Sequence, residues 1–240
     1  MPQMRLDKYL ADMGLASRKE LKQIIKSGRV TVNGIAAAVP EMKVSDSDSI
    51  CFDGQELSYR QFHYYMLNKP AGVLSVTEDR KQGTVLDLVS PQMRRLGLFP
   101  VGRLDKDTCG LLLLTDDGDF SHRVISPKSG VEKLYYARVD GEPTAADVKA
   151  FEEGIVLGDG TVCLPAKLRL LGGSECLVTV MEGKYHQVKR MLASRGKPVL
   201  ELKRLRIGEL ELDESLAPGE YRELTEDDLC KVLKGANMEK

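Results

Sequence analysis

The sequence predicts an α+β protein with two domains: a small N-terminal α/β domain over residues 1–59 and a larger domain over residues 60–240, built mainly on an antiparallel sheet. Three observations lead to this prediction. The chain has 240 residues, which exceeds the usual size of a single domain. Two helical segments precede a short strand near the N-terminus. The rest of the chain carries short strand-like runs with few helices and no regular strand–helix alternation.

Two short helices are expected first. Leu6 and Leu10 recur at the spacing of one helix face, and Gly14 provides a C-terminal stop. Ser17 and Glu20 then form the S-x-x-E pattern of a capping box, which predicts the start of a second helix.

A small sheet follows the second helix. Gly28 can end that helix, and the Val side chains of residues 29–33 alternate with polar ones, as in a half-buried strand. Asn33-Gly34 comes directly after and is a strong signal for a tight hairpin turn. The N-terminal order is therefore helix, helix, sheet.

Charge is concentrated in this segment. The whole chain has a formal net charge of -1, and its pI of about 6.4 argues against a strongly basic tail. Between residues 5 and 29, seven basic residues face three acidic ones, a local charge of +4. Such a surface suits RNA phosphates, although an ordinary solvated helix face gives the same pattern. The basic residues are Arg5, Lys8, Arg18, Lys19, Lys22, Lys26 and Arg29.

The run RLDKYLADMGLASRKELKQIIKSGRVTVNG resembles the S4 RNA-binding domain over residues 4–34, and less distinctively to about Leu57. In S4-like domains the two helices and the following turn face the RNA. The resemblance therefore implies an RNA-facing surface made of Arg5, Arg18, Lys19, Lys22, Lys26 and Arg29.

The larger domain follows a linker at residues 57–63. It is expected to contain six strands, at residues 64–68, 72–76, 110–115, 134–139, 176–181 and 199–205. Helices are expected at Asp119–Ile125, Ala145–Glu152 and His186–Arg195. The sequence has no G-x-G-x-x-G, no P-loop and no metal-ligand spacing, so we expect neither a nucleotide cofactor nor a metal. The five dispersed cysteines and the lack of an apolar leader suggest a reduced, cytoplasmic protein without a membrane segment.

The most informative segment of this domain is FPVGRLDKDTCGLLLLTDDGDF, residues 99–120. It places Asp105 in a loop directly before an apolar strand. Catalytic groups often occupy loops held by a rigid scaffold, but an Asp before a strand is more often a turn or surface residue. The full run resembles the active-site motif of pseudouridine synthases of the RsuA branch, which act on small-subunit ribosomal RNA. This resemblance implies that Asp105 is catalytic and that Arg103 helps to push the target nucleotide out of its stack.

Two further segments extend the resemblance. Lys133-Leu134-Tyr135 matches the K-x-Y element, which implies that the flipped uracil stacks on Tyr135. Lys69-Pro70-Ala71-Gly72 matches a chiefly structural element of the family.

The segment EGKYHQVKRM, residues 182–191, matches the element that supplies a basic partner for the catalytic Asp. Lys189 is the first candidate for that partner and Lys184 the second; an adjacent cation favours the ionised form that a nucleophilic carboxylate needs. Eight basic residues and one acid between residues 184 and 206 predict a second positive surface. We expect RNA contacts in this segment from Lys184, His186, Gln187 and Arg190.

Taken together, the resemblance implies a cytoplasmic, monomeric pseudouridine synthase that needs no cofactor. Its expected partner is ribosomal RNA, in a subunit or an assembly intermediate, and 16S rRNA is the favoured target. Two alternatives remain open: a related synthase acting on 23S rRNA, and a noncatalytic RNA-binding factor of ribosome assembly. An RNA methyltransferase ranks low, because no site for a methyl donor is visible.

Overall fold

The computed structural model describes residues 3–45 and 47–234. The chain forms two compact units, which are described separately below. None of the helices in the described residues is long and apolar enough to cross a bilayer. The first unit combines Met1–His63 with Val89–Leu98, and the second combines Tyr64–Leu88 with Phe99–Lys240.

The first unit contains three helices and two small sheets. The elements are β1 (Met4–Arg5), α1 (Leu6–Asp12), α2 (Arg18–Lys26), β2 (Val30–Val32), β3 (Ile35–Ala36), β4 (Lys43–Val44), β5 (Ile50–Phe52), β6 (Gln55–Leu57) and α3 (Pro91–Arg94). Four of the strands form an antiparallel sheet in the order β3-β2-β5-β6, and β1 pairs with β4.

The N-terminal predictions are confirmed in detail. The capping box of Ser17 and Glu20 is present at the start of α2. Asn33 and Gly34 both have positive φ, 52° and 80°, as the tight turn between β2 and β3 requires. One face of α1 and one face of α2 pack into a core whose fully buried members include Leu6, Leu10, Leu21, Ile25 and Ile50.

The second unit is built on one nine-stranded sheet. Its main path runs β11-β12-β10-β13-β9-β7-β15; β8 pairs with β9, and β14 pairs with β13. The pairs are antiparallel except for β13 with β9, so the predicted α+β class and mainly antiparallel sheet are confirmed. The elements are β7 (Tyr64–Lys69), β8 (Phe99–Pro100), β9 (Cys109–Thr115), α4 (Gly118–Ile125), β10 (Lys133–Val139), α5 (Ala145–Glu153), β11 (Lys167–Gly172), β12 (Glu175–Val180), α6 (Gln187–Ser194), β13 (Val199–Ile207), β14 (Leu210–Glu211), β15 (Tyr221–Glu223) and α7 (Glu226–Leu233).

Five of the six predicted strands and all three predicted helices are present, but residues 72–76 do not form a strand. Leu74 makes only an isolated bridge to Thr84. Ser75 turns its hydroxyl to the backbone of Leu104, donating to the carbonyl at 2.9 Å and accepting from the amide at 3.1 Å. This segment therefore supports a neighbouring loop instead of joining the sheet.

The parallel contact between β13 and β9 is short and close. It aligns Lys203 with Cys109 and Arg204 with Gly110. Gly110 has a φ of 96°, and a Cβ atom at this position would lie 2.2 Å from the carbonyl oxygen of Arg204. Only glycine permits this approach without a shift of the backbone.

Two hydrophobic cores lie along the sheet. One surrounds Phe151 and Met191 and includes residues of β10, β12, α5 and α6. The other surrounds Met66 and Phe120 and includes residues of β7, β9, α4 and α7. Strand β13 contributes to both cores, with Leu202 in the first and Ile207 in the second, and it pairs with β9 of the second core.

Candidate active site

Asp105 lies in the loop between β8 and β9, and the backbone of this loop is tightly held. Val101 donates its amide to the carbonyl of Leu113 at 2.8 Å, which fixes the start of the loop to β9. The amide of Thr108 donates to the carbonyl of Asp105 at 3.1 Å and closes a turn. The half-buried Asp105 carboxylate is therefore carried by a turn attached to a core strand.

A buried lysine lies against the same turn. Lys69, the last residue of β7, is 0% exposed. Its ammonium donates to the carbonyls of Pro70, Asp105, Lys106 and Thr108 at 3.0, 3.2, 3.3 and 2.9 Å. Burial lowers the pKa of Lys69. The ammonium gathers four backbone oxygens, three of them from the loop that carries Asp105.

Lys189 on α6 is the basic residue that approaches the Asp105 carboxylate. Its Nζ lies 3.1 Å from Oδ2 of Asp105 and 2.5 Å from Oδ1 of Asp107. Burial alone would lower the pKa of Lys189, but its hydrogen bonds to Asp107 and Asp105 outweigh burial and raise it. The hydrogen bond from Lys189 in turn holds the pKa of Asp107 below its ordinary value. One cation thus serves two carboxylates of the loop.

Lys184, the second candidate, has a different partner. Its ammonium binds Glu182, whose buried carboxylate also accepts from the amide of Leu164 at 2.9 Å and from Nε2 of Gln187 at 2.8 Å. Gln187 is 5% exposed, and its Oε1 accepts from the amide of Lys184 at 3.0 Å. Both ends of the Gln187 amide hold this turn together, so the side chain has a structural role and does not belong to an RNA-facing surface.

His186 occupies a strained position at the N-terminus of α6. Its backbone is left-handed, with a φ of 47° and a ψ of 35°. Its Nε2 lies 3.4 Å from Oδ1 of Asp105, and its ring stacks on the exposed ring of Tyr185 at 3.8 Å between centroids. This conformation places an imidazole against the carboxylate at the rim of the site.

A small cleft of about 70 Å³ opens beside Asp105. Tyr135 and the exposed Arg103 both line it, so the cleft brings together the four residues that the sequence singles out for chemistry. Its lining residues are Arg103, Leu104, Asp105, Thr108, Tyr135, Val180, Glu182, Gly183, Lys184, His186, Gln187, Val188, Lys189 and Leu202.

Two basic residues next to Tyr135, Lys133 and Arg204, were not assigned a role from the sequence. Both side chains are buried, and each carries a nitrogen without a hydrogen-bond partner among residues 3–45 and 47–234, Nζ of Lys133 and Nη2 of Arg204. Arg204 donates through Nε to the carbonyl of Leu111 at 2.7 Å, and its Nη1 lies 3.4 Å from the hydroxyl of Tyr135. In the sequence, the only indication that either residue has a role is the position of Lys133 in the K-x-Y element.

The basic face of the first unit is only partly open to an external anion. Arg5 pairs with Asp7 at 2.7 Å and with Glu41 at 3.0 Å, and Arg29 pairs with Asp53 at 2.5 Å. These two arginines contribute to the fold of the unit. The exposed Arg18, Lys19, Lys22 and Lys26 belong to α2, and the three lysines follow the spacing of one helix face.

The second positive surface is smaller than the sequence predicts. Arg204 is buried under β9 and does not belong to it. Arg195 pairs with Asp147 at 2.9 Å, and Arg190 pairs with Asp159 at 2.6 Å. Counting basic residues along the chain overestimated this surface, because partners distant in sequence neutralise several of them.

Comparison with known proteins is consistent with this geometry. Residues 63–194 match the family described as RNA pseudouridylate synthase, and residues 4–50 match the S4 domain. An uncharacterised RNA pseudouridine synthase of Bacillus subtilis is 46% identical over 94% of this chain and 97% of its own length. The ribosomal small subunit pseudouridine synthase A of Vibrio cholerae is 44% identical over 96% of this chain and 100% of its own length. A crystal structure of a pseudouridylate synthase matches with a TM-score of 0.68 and 38% identity, covering 95% of this chain and 99% of that one.

Proposed function

Because the chain belongs to the RNA pseudouridylate synthase family, we propose that it isomerises one uridine of 16S ribosomal RNA to pseudouridine, with Asp105 as the catalytic carboxylate. The small-subunit enzyme of Vibrio cholerae, similar over almost the whole chain, supports this choice of RNA. The S4 match over residues 4–50 and the similarity to a ribosomal small-subunit enzyme support binding to ribosomal RNA through residues 1–59. The pseudouridylate synthase match over residues 63–194 supports catalysis in residues 60–240. We further propose that the protein is cytoplasmic and monomeric.

One observation carries the proposal. The ammonium of Lys189 lies 3.1 Å from the Asp105 carboxylate, inside a cleft whose wall includes Tyr135. A carboxylate that accepts a hydrogen bond from a fixed cation is held in one orientation, which positions it as a nucleophile. An aromatic ring beside it can take up a base that has left its stack in the RNA.

The reaction needs no net oxidation or reduction. Arg103 helps to displace the target uridine, whose base then stacks on Tyr135. The Asp105 carboxylate attacks either C1' of the ribose or C6 of the uracil. The bond between C1' and N1 breaks, the base turns, and a bond forms between C1' and C5. C5 then loses its proton and N1 takes up one proton, so the product is an isomer of the substrate. The carboxylate is released unchanged.

The direct test is to incubate purified protein with 16S and 23S rRNA transcripts and with small-subunit particles, and then to map pseudouridine at single-nucleotide resolution. We expect one new pseudouridine in 16S rRNA. Modification of 23S rRNA alone would place the protein among synthases of the large subunit. Tight binding with no conversion of either RNA would identify a noncatalytic assembly factor.

Tyr135 provides a prediction that separates its ring from its hydroxyl. Tyr135→Phe should bind substrate RNA nearly as well as wild type, whereas Tyr135→Leu should weaken binding by ~1 to 3 kcal/mol, the usual range for base stacking on an aromatic ring. Equilibrium binding to an RNA fragment that contains the target checks this. Tyr136→Leu, on the neighbouring residue, is the control. Equal affinities for the Phe and Leu variants would rule out stacking at this position.

The three lysines on one face of α2 provide a prediction about the first unit. Replacing Lys19, Lys22 and Lys26 with Gln should weaken RNA binding and lower its salt dependence, since each lost phosphate contact reduces the log-log slope by roughly 0.7 to 0.9. The single-turnover rate at saturating protein should stay close to wild type, because uniform docking energy does not change the chemical step.

Salt titrations of RNA affinity, run beside single-turnover assays, make the measurement. The matched control is a Gln triple at exposed lysines of the second unit: Lys149, Lys167 and Lys234. If the triple variant binds RNA with unchanged affinity but its single-turnover rate at saturating protein falls sharply, α2 belongs to the active site.

A further inference from the structure

We propose that Lys133 and Arg204 form a binding site for a carbonyl oxygen of the target uracil and stabilise the negative charge that develops on the base during the reaction. This inference rests on the proposed function and assigns it two further residues.

Strand register brings the two cations together. Lys133 and Tyr135 are two residues apart on β10, so they lie on the same face of the sheet. Arg204 on β13 is the direct partner of Tyr135 across the antiparallel pair and shares that face. Its guanidinium carbon lies 5.9 Å from the centre of the Tyr135 ring. The proposed stacking ring is thus flanked by two basic side chains.

Both residues line a cavity of about 520 Å³ that shares walls with the cleft beside Asp105. The shared lining residues are Arg103, Tyr135, Glu182, Gly183 and Lys184. Apolar side chains supply much of the remaining wall, namely Val101, Val124, Ile125, Pro127 and Ile207. A mainly apolar cavity with a few convergent donors is the usual form of a site for a flat organic ring, and a phosphate would lose its hydration there.

Two donors of this site have no hydrogen-bond partner in the part of the chain that the structure describes. Nζ of Lys133 and Nη2 of Arg204 are buried without a hydrogen bond, an arrangement that destabilises a fold unless a ligand uses it. Among the described lining residues, Glu182 is the only acid, and its carboxylate is already engaged by Lys184, Gln187 and the amide of Leu164. The two basic residues thus line the cavity, and the one acid among its described lining residues is engaged elsewhere.

The chemistry of the base supplies the missing negative charge. If Asp105 attacks C1', the electron pair of the C1'–N1 bond passes to the uracil ring and spreads onto its O2 and O4. If Asp105 attacks C6, the electron pair of the C5=C6 bond passes toward O4 as an enolate. Either route places charge on a carbonyl oxygen. Donors fixed in a water-poor cavity at that point stabilise the transition state.

The electrostatic environment agrees with this role. Burial, and then repulsion from Arg204, lowers the pKa of Lys133 to about 8. The other titratable groups of the cavity wall are Arg103, Tyr135, Glu182 and Lys184. Lys133 is thus mostly protonated at neutral pH, and its positive charge is lost as the pH rises through about 8.

Single-turnover kinetics on ribosomal RNA provide the first test, with Lys133→Met, Lys133→Arg and, as a control, the same change at an exposed site, Lys149→Met. We expect Lys133→Met to bind RNA as wild type does and to convert it about 100-fold more slowly, the usual loss for one oxyanion donor. Lys133→Arg should recover most of the rate, and Lys149→Met should match wild type. For wild type, kcat/KM should fall above a pH of about 8, and this fall should be absent in Lys133→Arg.

Binding of small bases provides a second test that does not depend on activity. Barbiturate is a uracil-like ring that is anionic at neutral pH. Wild type should bind it at least about tenfold more tightly than uracil, as measured by NMR titration, and Lys133→Met should lose that preference while keeping the wild-type spectrum elsewhere.

The outcomes separate the two proposals. If wild type converts the RNA and Lys133→Met converts it at the same rate, the inference is overturned and the proposed function stands. A preference for barbiturate in a protein that converts no RNA would overturn the function and leave the anion site standing. An absence of any preference for barbiturate in wild type would overturn the site regardless of the kinetic results.

Discussion

Replacing Asp105 with Asn is expected to abolish pseudouridine formation while leaving RNA binding intact. The amide keeps the size of the carboxylate, and its oxygen can still accept a hydrogen bond from Lys189, which lies 3.1 Å from Oδ2 in the wild-type chain. It cannot form the covalent bond of the proposed mechanism. By analogy with other enzymes that lose their nucleophile, the rate should fall by ~10⁴-fold or more. Single-turnover conversion of 16S rRNA, with binding measured in parallel, checks this.

Asp107→Asn is the matched control for this variant. Asp107 shares the same Lys189 cation, at 2.5 Å, and lies on the same loop. If proximity to the cation were sufficient for catalysis, both changes would abolish activity alike. We expect Asp107→Asn to retain measurable turnover. Substantial turnover by a correctly folded Asp105→Asn protein would rule out the proposed nucleophile.

Lys69→Met should cause the second large loss, in both stability and rate. The change removes the ammonium that holds the carbonyls of Pro70, Asp105, Lys106 and Thr108 and leaves these oxygens with an apolar neighbour. A buried carbonyl left without its donor costs about 1–3 kcal/mol, so the free energy of unfolding should fall by at least that amount. The turn that carries Asp105 should also lose its fixed geometry, so the single-turnover rate should fall together with stability.

Urea unfolding and single-turnover kinetics measure the two effects. Lys106→Met is the control, because Lys106 lies on the same loop but donates at the surface, to Oε1 of Gln82 at 2.7 Å. Its effect on the free energy of unfolding should stay within about 1 kcal/mol. Wild-type stability and activity in Lys69→Met would mean that the buried cation does not hold the loop.

Much of the fold follows from local sequence signals. The capping box at Ser17 and the Asn33-Gly34 turn determine their own backbone geometry, so their positions could be predicted without tertiary information. Strand β11 was missed because five of its six residues are exposed, which leaves no clear alternation to detect. The strand predicted at residues 72–76 was wrong for the opposite reason. The run is apolar like a strand, but the hydrogen bond from Ser75 to the carbonyl of Leu104 determines its structure.

The active site shows the same division between local and long-range information. Asp105, Tyr135 and Lys189 belong to runs whose order along the chain resembles a known family, so they could be named in advance. Lys133 and Arg204 could not, because a sequence gives no indication that a basic side chain is buried without a partner. Long-range contacts also decide which basic residues remain open to RNA. Arg29 is an example, since its partner Asp53 lies 24 positions away in sequence.

Gly110 has a consequence for how the active site tolerates change. The loop with Asp105 runs directly into β9, whereas Arg204 is carried by β13, and these strands touch where Gly110 faces Arg204. A Cβ atom at position 110 would lie 2.2 Å from the carbonyl oxygen of Arg204. Any residue larger than glycine would therefore require the two strands to move apart. Gly110 therefore allows the strand that follows the Asp105 loop to lie close against the strand that carries Arg204, although it has no functional group of its own.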